Sequence, residues 1–424
     1  MTQIQTTTLP NGLRIITDHV PSVESVAIGV WAHVGTRNED MRDNGVAHLV
    51  EHMMFKGTQK RSSRDIAEVI ENVGGHMNAY TSREITSYHI HLLKEDAPLA
   101  LDVLADMIQN SNMPEEELAK ERHVVMQEIG MCNDTPDDVV FDHFYETAYP
   151  AQALGAPILG RSDVISKMQR DTLMNYVQQF YTPKNLVISA AGNIAHDQMV
   201  AMVQEKFANL PNDNERITPD ANYQGGDFRE NKPLEQAHLV LGFEGISRLS
   251  DDYYTAQALA TILGGGMSSR LFQEIRENRG LVYSIYAFHS GYLDDGLFGI
   301  YAGTGEKDVA DLIPVTCEQI LKTTHDLGND EIARVKAQLK AGLLMGRESM
   351  MSRADSQAKT MIFRNKAIDI PDITRKVDAI DKAGLQRVAA QIFTSPLTVT
   401  GLGPLSKLET FDKIQSRLVN AKAA

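Results

Sequence analysis

Cysteine is scarce in this sequence. Cys132 and Cys317, one in each half, are the two present in 424 residues. So few thiols, without metal-site spacing, exclude a disulfide framework and a Cys-based metal site, and they point to a reducing compartment. Long apolar runs are missing as well, since none reaches the roughly 18 residues that a membrane-spanning helix needs. Basic residues are in deficit. Lys and Arg number 41 against 56 Asp and Glu, a formal charge of −15, which disfavours nucleic acid and anionic membrane as partners. Met1–Pro10 has neither the apolar core of a signal peptide nor the Arg-rich amphipathic pattern of a transit peptide. The expectation is a bacterial-type cytoplasmic chain, or a mature form. What remains is a soluble globular composition, too long for one ordinary core, so two or more domains are expected.

The pattern of apolar residues predicts a mixed chain. Leu13–Thr17 and Val26–Val34 read as strands. Val46–Phe55 reads as a short helix, and Ser62–Val73 as a second one that opens on a Ser62/Asp65 capping box. His76–Thr81 and Thr86–Leu93 read as paired strands. Helices follow at Asp96–Asn110, from Glu115 to about Met131, and at Asp137–Thr147, Asp171–Tyr181 and His196–Ala208, with a strand at Asn185–Ala191. From Asn209 to Pro233, Pro and Gly fall among Asn and Asp, which reads as an interdomain linker.

After that linker the pattern begins again. His238–Ser247 matches Val26–Gly35, Tyr253–Leu263 takes the place of the short helix, and Ser268–Asn278 that of the capped one. The strand pair Tyr283–His289 and Leu297–Gly303 follows, then two long helices at Asp308–Asp326 and Asp330–Met345. Six elements recur in the same order. The expected organisation is therefore α+β, with two domains of one fold at 1–217 and 234–424, joined by a linker at 218–233. Each is expected to be an antiparallel sheet with helices on one face.

The chemistry is concentrated in His48-Leu49-Val50-Glu51-His52. On a helix, His48 and His52 sit one turn apart on one face. Two imidazoles so placed can bind one divalent metal, and Glu51 projects beside them. Zn²⁺ needs a third protein ligand and an open position for water, whose proton a free carboxylate can take. The order H-x-x-E-H inverts the thermolysin-type H-E-x-x-H. Overlaying the repeat puts Ala260, Leu263 and Gly264 opposite His48, Glu51 and His52, so the second copy lacks this set. A third ligand should come from another element of the first domain. The helix from Glu115 offers Glu121 and Glu128, seven residues apart and so on one face.

With these spacings the sequence resembles the pitrilysin family of zinc metallopeptidases. The family pattern is H-x-x-E-H, then a Glu ligand about 75 residues on with another Glu seven before it. Here 75 residues separate His52 from Glu128. Leu9-Pro10-Asn11-Gly12-Leu13, Glu51 to Thr58, and Asn78-Ala79-Tyr80-Thr81 share the resemblance, which covers essentially the whole chain. It implies one zinc per chain on His48, His52 and Glu128, with Glu51 as general base and Glu121 orienting a ligand histidine. It also implies an edge strand at Asn78 and Ala79 that binds extended peptide. Arg276 and Tyr283 would hold substrate carbonyls and the oxyanion, and the loop Gly264-Gly265-Gly266 would touch substrate. The two domains would clasp a peptide around a central chamber.

Asp138 and Asp142, one turn apart, are open to two readings. They are either a solvated helix start favoured by the helix dipole or a fork for a substrate guanidinium. The resemblance to the processing-peptidase branch favours the second, with Arg or Lys preferred near the scissile bond. The expected function is a zinc-dependent endopeptidase acting on unfolded or extended peptides. A homodimer is the simplest assembly, and a heterodimer with an inactive homologue is the other. The rival from a different class is a non-catalytic scaffold or peptide-binding subunit of the same fold. Retention of the three ligands and the base argues against it.

Overall fold

Aliphatic and β-branched strands build two sheets, in a computed structural model that describes residues 3–211 and 218–419. In chain order the first elements are β1 (Gln3–Thr8), β2 (Arg14–His19), β3 (Ser25–Ala32), α1 (Val46–Met54), α2 (Ser63–Glu71), β4 (His76–Thr81) and β5 (Thr86–Leu93). Next come α3 (Ala97–Asn110), α4 (Glu115–Asn133), α5 (Pro136–Ala148), α6 (Ser162–Ile165), α7 (Arg170–Phe180), β6 (Leu186–Gly192) and α8 (His196–Lys206). Then follow β7 (Gly226–Asn231), β8 (Gln236–Glu244), α9 (Tyr253–Gly264), β9 (Val282–Gly291), β10 (Gly296–Gly305), α10 (Val309–Lys322) and α11 (Asn329–Gly346). The last are α12 (Met350–Arg364), α13 (Ile370–Asp378), α14 (Lys382–Phe393), β11 (Thr398–Gly403) and α15 (Phe411–Val419). None of the described helices is long and apolar enough to cross a membrane.

The sheets repeat one topology. The first has the order β1-β2-β6-β3-β5-β4 and the second β7-β11-β8-β10-β9. Without β1, the two orders correspond strand for strand. Each sheet is antiparallel except for one matching pair, β2 with β6 and β7 with β11. The α+β organisation with two copies of one fold, read from the sequence, is thus present. Strand β7 was not foreseen. It lies inside the stretch read as linker, and residues 212–217 of that stretch lie outside the described residues.

The chain divides into two compact units that are not contiguous halves. The first comprises Met1–Gly130, Ala156–Pro219 and Leu344–Asp369, and the second comprises Met131–Gly155, Asp220–Leu343 and Ile370–Ala424. Helix α5 therefore belongs to the second unit and α12 to the first. The chain changes unit inside the last turns of α4 and of α11, the corresponding long helices of the repeat.

In the first unit Ile28, Val30, Ala32, Ile188 and Ala190 point to one face and are buried with Leu49, Val50 and Met53 of α1, Leu104 and Met107 of α3, and Leu173 of α7. Full burial of each such side chain contributes roughly 1.5–3 kcal/mol. Alternation sends Trp31 and Ser189 to the opposite face. There α12 covers them. Trp31 Nε1 donates to Asp355 Oδ1 (3.1 Å), and Ser189 Oγ donates to the Ala354 carbonyl (2.8 Å). Buried Asp18 on β2 accepts from Arg347 and from Arg353, each at 3.0 Å.

In the second unit α5 does the same work. Val140 and Phe144 pack on Val240, Leu297 and Leu402. Gly242 permits this, because a Cβ there would lie 2.2 Å from the Phe144 ring. Helices on one face of each sheet, as expected, are thus joined by a single helix on the other face. A sheet buried on both sides needs a cover on both.

Candidate metal centre

Helix α1 carries the histidines, and its start is fixed from upstream. Gly45 adopts φ 94°, a left-handed conformation that favours glycine. Ahead of it, the buried Glu39 carboxylate accepts from Gly45 N and Ala47 N, both 2.9 Å, and from Asn44 Nδ2 at 2.9 Å. It satisfies N–H groups that the first turn of a helix leaves unpaired. Burial pushes the Glu39 carboxyl up to about 7, against those three hydrogen bonds, which favour the ionised form.

Along α1, Leu49, Val50 and Met53 face the core and leave His48, Glu51 and His52 on the partly open side. The two imidazole centroids are 4.6 Å apart. Glu128, on α4, reaches them. Its Oε2 lies 3.8 Å from His48 Nε2 and 3.6 Å from His52 Nε2. Donor atoms of these three residues all fall within 4.8 Å of one another. Tetrahedral zinc with bonds of 2.0–2.2 Å would separate its ligand atoms by about 3.4 Å, so little movement is required. Glu128 Oε2 is buried and has no hydrogen-bond partner among the described residues. An oxygen so placed, facing two imidazole nitrogens, fits a metal ligand.

The electrostatics also fit a cation. Burial, reinforced by His52, pushes His48 down to about 4 and keeps it a neutral imidazole. At His52 burial pulls the same way, but Glu121, Glu128 and Glu51 outweigh it and the net shift is upward. Three carboxylates around one site favour positive charge there. Glu121, buried on α4, accepts from His52 Nδ1 at 2.9 Å, and Lys56 Nζ reaches its other oxygen at 2.8 Å. Despite burial, these two partners hold the Glu121 carboxyl below its ordinary value. The arrangement leaves His52 Nε2 for the metal side, as ligand histidines require. His48 Nδ1 has no such partner among the described residues. Glu51 makes one hydrogen bond, accepting at Oε2 from Thr81 Oγ1 at 2.5 Å. Burial raises its carboxyl above the ordinary range.

Sequence comparison bears on this geometry directly. The profile "Insulinase (Peptidase family M16)" matches residues 14–162, and "Peptidase M16 inactive domain" matches 167–339. A protein of Rickettsia felis named "Uncharacterized zinc protease" is 40% identical, over 93% of this chain and 96% of its own. This chain belongs to peptidase family M16. Another such relative, the zinc protease YmxG of Bacillus subtilis, is 38% identical over 94% of this chain and 97% of its own length. The fold has a solved counterpart in a protease from Helicobacter pylori. It gives a TM-score of 0.88 at 23% identity, covering 95% of this chain and all of that one.

The match to the M16 "inactive domain" spans parts of both units. The overlay that sets Ala260, Leu263 and Gly264 opposite His48, Glu51 and His52 is not carried by the sheets: it would match Val240, which packs on α5, with Ile28, which faces the helices around α1. Among the described residues, the one group of His, Cys, Asp or Glu side chains placed to hold a metal is His48, His52 and Glu128, in the first unit. Gly264 admits β9, since a Cβ there would lie 2.2 Å from Ala287 N.

The other residues singled out from the sequence fall as follows. Asn78 and Ala79 lie on β4, the outer strand of the first sheet. Asn78 Oδ1 accepts from Ala79 N at 2.8 Å. Tyr283, the second residue of β9, lies at an irregularity: Gly303 pairs with Ser284 and Thr304 with Val282, so Tyr283 is passed over and projects outward, 77% exposed. Such bulges re-aim side chains. Arg276 lies in a short π-helical segment, Phe272–Glu277, with its guanidinium 4.6 Å from the Phe272 ring centroid. Gly265 and Gly266 are exposed beyond α9. Asp138 and Asp142 share one side of α5, hence of the second unit, and Asp142 accepts from Cys132 Sγ. They do not share a unit with the metal ligands, which is a change from the expected domain at 1–217.

Sequence reasoning assigned no role at the metal centre to Lys56, Thr81 or Glu39. Lys56 carried a signal, being four residues beyond His52. Thr81 stood in the edge-strand motif and Glu39 in none, and nothing tied either to α1, which each meets through the fold.

Proposed function

We propose that this M16 protein is a zinc-dependent endopeptidase that hydrolyses extended peptides. The observation that carries the reading is the convergence of His48, His52 and Glu128 with the partly buried Glu51 beside them. Zinc held by those three residues would supply Lewis acidity and bring the pKa of a water towards ~7. Glu51 then accepts a proton from the attacking water at its unbonded Oε1 and delivers it to the departing amine. Glu121, backed by Lys56, keeps His52 in the tautomer and orientation required. The outer edge of β4 at Asn78 and Ala79 receives the peptide backbone by strand addition, which tolerates many sequences. Arg276, Tyr283 and the exposed Gly265 and Gly266 of the second unit engage peptide, a role supported by the outward aim of Tyr283, whereas Gly264, expected in that loop, is buried in the last turn of α9.

The finer reading is processing-peptidase-like. Asp138 and Asp142 would bind a substrate guanidinium, giving a preference for Arg or Lys near the scissile bond. The enzyme would act as a cytoplasmic homodimer, which light scattering checks. The test of function is a mass-spectrometric cleavage map on a peptide library. Cleavage should stop with chelator, return with zinc, and cluster near basic residues. A zinc-loaded protein that leaves the library intact would overturn the reading.

A further inference from the structure

Glu51 has a long, flexible side chain, and burial alone does not aim it. Among the described residues it has no Lys or Arg partner. Its single anchor is the hydroxyl of Thr81. That anchor is rigid for three reasons. Thr81 is β-branched, which restricts its χ1. It pairs with Thr86 across the β4–β5 ladder. The next residue closes a turn, with Ser82 N donating to the Ile85 carbonyl at 2.8 Å.

The direction of the hydroxyl follows from the strand period. Met77 and Ala79 pack against the core on the α1 side. Thr81, two residues further on, shares their face. Its Oγ1 donates to Glu51 Oε2, and among the described residues Oε1 has no hydrogen-bond partner. One oxygen of the carboxylate is therefore held while the other is available. The same strand forms the outer edge of the first sheet.

We propose that Thr81 is a positioning residue for Glu51, tying the general base to the strand that receives the peptide. The proposal rests on the reading of Glu51 as the base. A peptide adding to the outer edge of β4 stiffens the strand whose hydroxyl aims the carboxylate. Substrate docking and base orientation are coupled in this way over a few residues of one element.

Thr81→Val keeps the shape and the β-branch but removes the donor. With full-length zinc-loaded protein and an extended peptide, kcat should fall about tenfold or more, a part of what a general base supplies. KM should stay within about twofold, and zinc should remain at one per chain, because the backbone and the ligands are untouched. Thr81→Ser restores the hydroxyl and should bring kcat back to within about threefold. A loss caused only by altered packing would not show that recovery. If Thr81→Val folds poorly by circular dichroism, Thr81→Ala poses the same question without the added methyl. Wild-type kcat in the hydroxyl-free variant, or a loss that Ser fails to restore, would overturn the proposal. Glu51→Gln in the same assay separates the two levels. If it is inactive while Thr81→Val is unimpaired, only the role of Thr81 falls. If Glu51→Gln turns over normally, the base assignment falls and the role of Thr81 with it.

Discussion

At the scale of single residues, the candidate metal ligands were legible because two short-range rules place them on helix faces. Helical spacing puts His48 and His52 on one face, and a seven-residue interval does the same for Glu121 and Glu128. Which of those two glutamates binds the metal was not decided by periodicity. The fold favours Glu128, since its Oε2 faces both Nε2 atoms while Glu121 reaches around to His52 Nδ1. Glu128→Gln should therefore lose most bound zinc. Glu121→Gln should keep the site but weaken zinc affinity by roughly 10–100-fold, as loss of a partner behind a ligand histidine generally does. Competition with a chromogenic chelator measures both. Equal affinities for Glu121→Gln and wild type would mean that Glu121 does not orient His52. At the acidic pair, Asp138→Asn with Asp142→Asn should raise KM for an Arg-containing peptide well above the change for its Ala counterpart. Equal effects on both peptides would remove the pair from substrate recognition.

At the scale of elements, the capping box of α2 was visible in the sequence, because Ser62 and Asp65 lie within one turn and bond each other as expected. The cap of α1 was not. Glu39 reaches Gly45 and Ala47 across a loop, and no local pattern announces it. Its carboxyl, at about 7 in the folded protein against an ordinary 4.5, has a definite consequence for stability. Between those pH values the folded state holds a proton that the unfolded state has released. The associated stabilisation is complete below about 4.5 and is lost as pH rises through 7. Chemical denaturation of the wild type from pH 5 to 8 should show this decline, on the order of 1–3 kcal/mol from this group. Glu39→Gln should flatten that slope, whatever its effect on the absolute level. An unchanged slope in the variant would show that Glu39 titrates normally.

At the scale of the whole molecule, the repeat was legible because six elements recur in order. The interleaving of the two units was not, since hydrophobic pattern marks a buried face without saying which sheet covers it. Val140 and Phe144 of α5 look equally ready for either sheet until Gly242 is seen to receive the Phe144 ring. A fragment ending at Pro219 would carry α5 without its sheet and leave Trp31 and Ser189 without α12. It should aggregate or fold poorly by size-exclusion chromatography and circular dichroism. Fusing residues 344–369 onto it should improve recovery of folded protein. A stable monomeric fragment without that addition would show that α12 is dispensable. In the full chain, Asp18→Ala should lower stability by roughly 3–5 kcal/mol, because it leaves Arg347 and Arg353 without their buried acceptor.

The central claim is that a metal held by His48, His52 and Glu128 works with Glu51 to cut peptide bonds. The direct measurement compares zinc content and turnover of an extended peptide in wild type and in Glu51→Gln. Both proteins should carry one zinc per chain, with turnover in the variant reduced by at least about 100-fold. Similar turnover in the two zinc-loaded proteins would contradict the claim.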